Sequence, residues 1–539
     1  MRSHHDVARG HRPHAGVVAT SVIAVLLAAG CGTSEPASET AGETPVKGGE
    51  LTVGLAANPD VLDPSLAAGL ESREVLTHIC ESLYTLGSDN KPKPQLATDL
   101  PEWSKDGLKI TIRLRTGVKF NDGTPFDAEA VKTSFERHMS VAGSQTAMHF
   151  DRVEKISTPD DQTVVLDLAD EIAEPTTLFD YALAERQGGM IMSPAQLEKL
   201  GDKFGNEPVC VGPYKFGGYQ GQDRIVIEKS DQYYDADKIS IKRITYQAIT
   251  DGAVRSANLR SGELDVALVD AADVDTVDSD GTLQKIDTQE FGYMGLTVNL
   301  NNADGVDKPR RTPDTAMASD PRLREAFDLA INRSALVSVG MGGKAVADCW
   351  PFSKQSPYYR NAPCPAPDID RAKALLTEAG ARTPVQVDLM TSTDSESLRL
   401  GQLIQSMTAQ AGFAVKLRSV EQVTATEAAR KGDFDVLLRQ AALGADPNRI
   451  QPLNYSKADT NTSGNTGEEI DALLEEGMTT TDEARRVKVY QEAQDLVRER
   501  RNIIYLFHRI HQVRANPAVR GIVLQPDGLL RFAGARLTK

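Results

Sequence analysis

Apolar and polar positions alternate or cycle with a readable period through most of this chain. "ELTVGL", residues 50–55, has the two-residue rhythm of a strand, and "NPDVLDP" breaks it with two prolines. Residues 71–86 carry a helical period that stops before a turn. "KITIRLR", 109–115, sets Ile110, Ile112 and Leu114 on one face and basic or Thr residues on the other, as in a half-buried strand. Asn121-Asp-Gly is a turn signal, and Asp127 stands where it can cap a helix carrying Val131 and Phe135 on one side. Further strands are expected at 161–168, 224–230 and 241–247.

From about residue 294 the texture changes. "MGLTVNLNN" reads as a strand. Asp320 and Pro321 occupy the cap and first-turn positions of a helix, "PRLREAFDLAINRSAL". Asp368 caps "IDRAKALLTEA", which Gly380 stops. Then come strand 385–390, helix 395–411, strand 413–418, helix 424–431 and strand 434–438, with Gly412 and Gly432 as stops. Strands and helices alternating through such short links predict a βαβαβ unit, hence a parallel sheet with helices on its faces. A charged amphipathic helix, 482–500, and a buried-looking strand, "NIIYLFH", follow. No internal repeat of fixed period is present.

At 539 residues the chain exceeds what one hydrophobic core supports, so two or three compact units are expected. Its net charge of −16 argues against a nucleic-acid partner, which selects basic patches. The first thirty residues read as an export signal: Arg2, Arg9 and Arg12 with four histidines precede an apolar run from Val17 to Ala29, too short for the roughly 20 residues of a spanning helix. Small Ala28, Ala29 and Gly30 precede Cys31, an arrangement that resembles the bacterial lipobox, with Ala28 where Leu is commonest. That resemblance implies a diacylglycerol on Cys31. "GTSEPASETAGETPVK", 32–47, cannot bury a core and suits a tether.

Cys80, Cys210, Cys349 and Cys364 remain, an even number in an oxidising compartment, with three pairings open. Cys349 and Cys364 bracket a Pro-rich loop, which makes a local bridge natural and leaves Cys80 for Cys210. No C-x-x-C spacing supports thiolate metal ligation, and no metal or cofactor is expected. His508 and His511 are three apart and would face opposite sides of a strand. Neither H-E-x-x-H nor G-x-S-x-G is present, "VGMGGKA" lacks the spacing of a phosphate loop, and the carboxylate pairs are undistinguished, so no catalytic residue is assigned.

One constellation is more specific. "PQLATDLPEWSKDGLKITIRLRTGVKFNDGTPFDAEAVKTSFER", 94–137, resembles the signature region of the family-five extracellular solute-binding proteins, the peptide-, nickel- and opine-type receptors of ABC importers. "GGELTVGLAANPDVLDP", "EPVCVGPYKF", "DPRLREAFDLAINRSAL", "AKALLTEAG", "GDFDVLLRQAALGADP" and "IIYLFHRIHQVRANPAVRGI" continue the resemblance in order, over about 48–535. It implies an α/β, two-lobed periplasmic-binding-protein-like fold with an extra subdomain in the first lobe and two hinge crossovers, near 288–295 and 508–515. On this reading lobe I comprises 48–76, 207–290 and 513–539, the extra subdomain 77–206, and lobe II 291–512. The ligand would be enclosed between the lobes by hinge closure.

Peptide receptors of this family carry a loop reading Gly-Trp, two residues, then an Asp that pairs with the peptide ammonium, ending in an acidic residue and Pro. Aligned on Asp446-Pro447, this chain has Arg439 and Gln440 for Gly-Trp and Leu443 for the Asp. The amine anchor is missing, and Arg439 offers a bidentate partner for a carboxylate or phosphate instead. The same comparison points to Asn58 and Asp60 in the cleft and to Tyr293 at the first crossover. Trp350 is a candidate stacking wall and Asp446 a turn residue or contact. The expected function is the receptor of an ABC importer: a monomer that is not an enzyme, held on the outer face of the membrane by its lipid, handing a small peptide-like solute to permease subunits. A sensing or scavenging lipoprotein of the same fold is the alternative, with a nickel-complex receptor or an envelope hydrolase behind it.

Overall fold

The computed structural model describes residues 45–538 except 47, 88–89, 151, 170–182, 185–186, 222, 459 and 481. The signal, Cys31 and all but the end of the tether lie outside the described residues. Pro45 and Val46 pair with Thr538 and Leu537, so the folded body reaches two residues into the segment read as tether. No helix among the described residues is long and apolar enough to cross a membrane.

The N-terminal half contributes strands β1 (Gly49–Leu55), β2 (Tyr84–Leu86), β3 (Lys109–Arg113), β4 (Val153–Asp160), β5 (Thr163–Leu168), β6 (Tyr214–Gln220), β7 (Arg224–Lys229), β8 (Ile241–Ala248), β9 (Val266–Leu268) and β10 (Gln284–Gln289). Its helices include α1 (Leu70–Ile79) and α2 (Ala128–Ser140). The C-terminal half adds β11 (Tyr293–Val298), β12 (Ala345–Ala347), β13 (Val385–Ser392), β14 (Phe413–Val420), β15 (Val436–Ala441) and β16 (Ile503–Ala515). Between them run α3 (Pro321–Leu329), α4 (Ile369–Glu378), α5 (Ser395–Ala409), α6 (Gln422–Lys431), α7 (Glu468–Thr479) and α8 (Glu483–Arg500).

One large sheet runs through the molecule in the order β14-β13-β15-β11-β16-β9-β1-β8-β7-β6. β13 pairs in parallel with both β14 and β15, which is the expected βαβαβ unit. β16 is the strand that changes company. Residues 503–507 pair with β11, and residues 510–515 pair with β10, the last three also with β9. β3, β4 and β5 with the short strand Glu102–Trp103 form a separate antiparallel sheet. There Ile110, Ile112 and Leu114 are buried together, as the alternation requires. α2 covers this sheet with Val131 and Phe135 fully buried, and the Asp127 carboxylate accepts the Ala130 amide at 2.9 Å as its cap.

Two helices end earlier than their periodicity suggests. α1 stops at Ile79 because Cys80 is bridged to Cys210 and the Glu81 amide bonds to the Val211 carbonyl, which turns the chain into β2. α3 stops at Leu329 because Asn332 caps a new turn through the Ala335 amide. A second bridge joins Cys349 to Cys364.

The Leu62-Asp63-Pro64 turn is held by α2. Asp63, fully buried, receives the Arg137 guanidinium and the Ser65 amide. The Ser65 hydroxyl donates to His138 Nδ1 at 2.9 Å, while His138 Nε2–H donates to the Met190 carbonyl at 3.1 Å. With both nitrogens used by neutral partners, burial holds the His138 imidazolium down to about 4, against 6.5 in the free side chain. The unfolded chain therefore takes up this proton first, and the contribution of His138 is complete above pH 6.5 and lost as pH falls toward 4. Buried Glu74, raised to about 8 by burial, acts in the opposite sense over pH 4.5 to 8. The expected result is thus a difference. In urea denaturation between pH 6.5 and 4.5, the stability of the wild type relative to His138→Gln should fall by up to about 1.4 kcal/mol per pH unit. A pH-independent difference would remove the neutral, buried imidazole.

Candidate functional site

The three parallel strands β13, β14 and β15 end on the same side, where α5 and α6 begin. In open α/β sheets the crevice beyond the carboxyl ends of the strands is the natural ligand position. Here a cavity of about 180 Å³ opens there, lined among others by Ser392, Gln422, Arg439, Gln440, Thr460 and Thr462. Ser392 is the last residue of β13, and its hydroxyl donates to Gln422 Oε1 at 2.6 Å in the first turn of α6.

Arg439 is directly opposite Gly295 in the antiparallel β11–β15 ladder, and Tyr293 is opposite Ala441, so the two side chains share a face. The Tyr293 ring lies over Gly295: a Cβ there would meet ring carbon Cε2 at 3.0 Å. Tyr293 is buried and stacks edge-on with Tyr505, centroids 4.6 Å apart. Burial pushes its hydroxyl well up, while the Arg439 charge pulls the other way. Arg439 itself is half-buried and makes no hydrogen bond or ion pair among the described residues. A guanidinium with no counter-charge is a ready bidentate partner for an anionic ligand.

Gln440 is claimed from within: its Nε2 donates to Glu290 Oε2 at 2.9 Å. Glu290 also accepts the Arg509 amide at 3.2 Å, and burial raises its carboxyl above the usual range. Leu443 is buried in the apolar cluster that includes Phe352 and Tyr505. Asp446 is buried too and pairs with Arg486 Nη2 at 3.3 Å. Arg486 bonds the Tyr358 hydroxyl at 2.5 Å and sits over the rings of Tyr358 and Tyr490. Trp350 is 1% exposed, with its indole N–H on the Ala362 carbonyl at 2.8 Å and the Arg498 guanidinium 4.6 Å above its ring. Asn58 is exposed. The Asp60 carboxylate accepts the Ala68 amide at 2.9 Å, the Gly69 amide and the Ser72 hydroxyl, closing the loop that enters α1. Burial raises the Asp60 carboxyl, but these donors outweigh it and hold it below its ordinary range.

The structure thus gathers Tyr293, Arg439, Gln440 and Leu443 about the β11–β15 ladder. Trp350 and Asp446 occupy packing positions, and Asn58 and Asp60 belong to the α1 loop. Sequence reasoning missed Glu290, Arg486 and the Ser392–Gln422 pair. No spacing marks them, because their partners are more than 25 residues away.

The model of the bacterial extracellular solute-binding proteins, family 5 (middle), matches residues 91–464, and the chain belongs to this family. The glutathione-binding protein GsiB of Pectobacterium atrosepticum is 27% identical over 493 residues, covering 89% of this chain and 92% of the relative. Among solved structures, the ABC transporter substrate-binding protein CtaP of Listeria monocytogenes superposes with a TM-score of 0.80 at 21% identity, covering 92% and 100% of the two chains. The binding protein AgaA of A. tumefaciens R10, in complex with agropinic acid, gives 0.71 at 27% identity, covering 91% and 98%. The fold is that of the two-lobed periplasmic binding proteins.

The two charged side chains of this region should respond oppositely to removal. Asp446→Ala leaves Arg486 buried without its counter-charge and should cost about 3–5 kcal/mol. Arg439→Ala should stay within about 0.5 kcal/mol of wild type, since nothing in the folded chain depends on the guanidinium. Urea denaturation of the ligand-free protein measures both.

Proposed function

We propose that the protein is the substrate-binding component of an ABC importer and that its solute is a small peptide-like molecule bearing a carboxylate. The observation that carries the ligand class is the half-buried, unpartnered Arg439 beside Tyr293 at the carboxyl end of β15. A planar guanidinium pairs bidentately with a carboxylate, and Leu443 offers a peptide ammonium no counter-charge, which suits a ligand whose ammonium sits beside its own carboxylate, as in a γ-glutamyl group. The names of the curated relatives support the class: they bind glutathione, a tripeptide with two carboxylates.

Residues 48–76, 207–290 and 513–539 are taken as lobe I, 77–206 as its extra subdomain and 291–512 as lobe II. The change of partners along β16, between Phe507 and Ile510, supports the boundary. Closure about the 290–292 and 508–510 crossings encloses the ligand, which drives it by binding the closed state better. Cys31 carries the lipid that holds the protein, as a monomer, on the outer face of the cytoplasmic membrane, facing its permease.

S-methylglutathione, which has no free thiol, is the probe. It should raise the melting temperature by mass action and give a saturable calorimetric isotherm. Arg439→Ala should weaken it tenfold or more, about 1.4 kcal/mol. Equal affinity in the variant would take Arg439 out of the site. If neither S-methylglutathione nor a panel of anionic di- to pentapeptides binds, the ligand class is wrong.

A further inference from the structure

β12 runs straight into Asp348 and Cys349, and it lies on β16 with Val346 opposite His508. Four side chains meet at this junction. Asp348 is 4% exposed; its Oδ1 accepts the Cys349 amide at 2.7 Å and lies 3.7 Å from Cys364 Sγ, and the carboxylate also receives the Trp350 amide and the Tyr359 hydroxyl. The latter is a contact without a proton, because the sulfur is bridged. Its Oδ2 faces His508 Nε2 at 3.7 Å. One ligand atom each from Asp348, Cys349 and Cys364 lie within 4.8 Å of one another, the one such group among the described residues.

His508 is completely buried. Its Nδ1–H is spent on the Gly292 carbonyl, which leaves the lone pair on Nε2, and that atom has no hydrogen-bond partner. A lone pair and a carboxylate oxygen thus confront each other across a gap shut off from water. The carboxylate has donors of its own, so it is the His508 lone pair that a cation at this point would satisfy. A histidine whose second nitrogen is fixed on a backbone carbonyl is also the usual arrangement of a metal ligand.

We propose that Asp348, Cys349, Cys364 and His508 form a site for a thiophilic divalent cation of the zinc class once the Cys349–Cys364 bridge is reduced. Two thiolates, an imidazole and a carboxylate are a tetrahedral donor set for such an ion. The redox step is ordinary exchange: two equivalents of a thiol reductant RSH give RSSR and two cysteine thiols, and the metal displaces the two thiol protons. Bridge and metal exclude each other, since each needs both sulfurs.

Reduction does not release the loop that presents them. The Trp350 indole bonds Ala362, Gln494 holds the Tyr358 carbonyl at 3.1 Å, and Asn90 holds the Gln355 carbonyl at 3.0 Å. Cys364 is half-buried and open to a reductant, whereas Cys349 is 2% exposed.

The test uses Co²⁺ as an optical probe and a phosphine as reductant, with thiols counted by alkylation. Reduced wild-type protein should bind one Co²⁺ with thiolate-to-metal charge-transfer bands and the intense visible bands of tetrahedral cobalt, displaced by one equivalent of Zn²⁺. Oxidised protein should show none. Cys80→Ser/Cys210→Ser should retain the bands and Cys364→Ser should lose them. His508→Gln should weaken Co²⁺ at least tenfold. Where His508→Gln fails to fold, as judged by circular dichroism, Asp348→Asn serves in its place with the same expectation. Four free thiols without charge-transfer bands would overturn the site. So would bands that survive Cys364→Ser, or bands at full strength in the oxidised protein.

Discussion

The architecture depends on the continuous hydrogen-bonded ladder of β16. Its first five residues join the half of the sheet built by β13, β14, β15 and β11, its last six pair with β10, and the last three of these also join the half built by β9, β1 and β8. A strand can join the two halves of a sheet in this way only if its register is fixed on both sides of the change. Burial fixes it: Ile503 to Phe507 are all buried, as are Val513 and Ala515. Glu290 stands at the change of partners, bonding Gln440 on one side and the Arg509 amide on the other. The crossing is therefore a polar joint between two apolar ladders.

The site follows from that geometry. Parallel strands with helices between them expose their carboxyl ends in one direction, and β15 delivers Arg439 there beside the crossing. Other arginines of the C-terminal half are already spoken for: Arg509 by Glu396, Arg486 by Asp446, Arg418 by Asp388 and Asp433. Among the described residues Arg439 has no such partner, and the anionic-ligand reading rests on this difference. Acidic net charge and a local cationic anchor are compatible, because the potential in a crevice is set by the groups that line it.

Where local chemistry decides, the sequence is informative. Asp127, Asp320 and Asp368 each cap the helix they were expected to cap, and the βαβαβ unit is present with its links in place. The alternation at 110, 112 and 114 gave the buried face. What was illegible is tertiary. The period of 71–86 is helical throughout, but Cys80 is drawn to a partner 130 residues away and ends the helix. Asp446 and Trp350 have the chemistry of ligand contacts, yet Arg486 and Ala362 occupy them. Arg439 could be named from a motif, but its lack of a partner could be seen only once every neighbour was placed.

The Asp63–Arg137 and Ser65–His138 contacts have a mechanical consequence. They join the turn after β1 to the last turn of α2 by a buried ion pair and a buried hydrogen bond, with Gln187 reaching the Ala67 carbonyl beside them. Such a seam resists shear. Any bending of the chain about Glu290 and Arg509 would therefore carry α2 and its sheet along with β1, giving a longer arm than the first sheet alone.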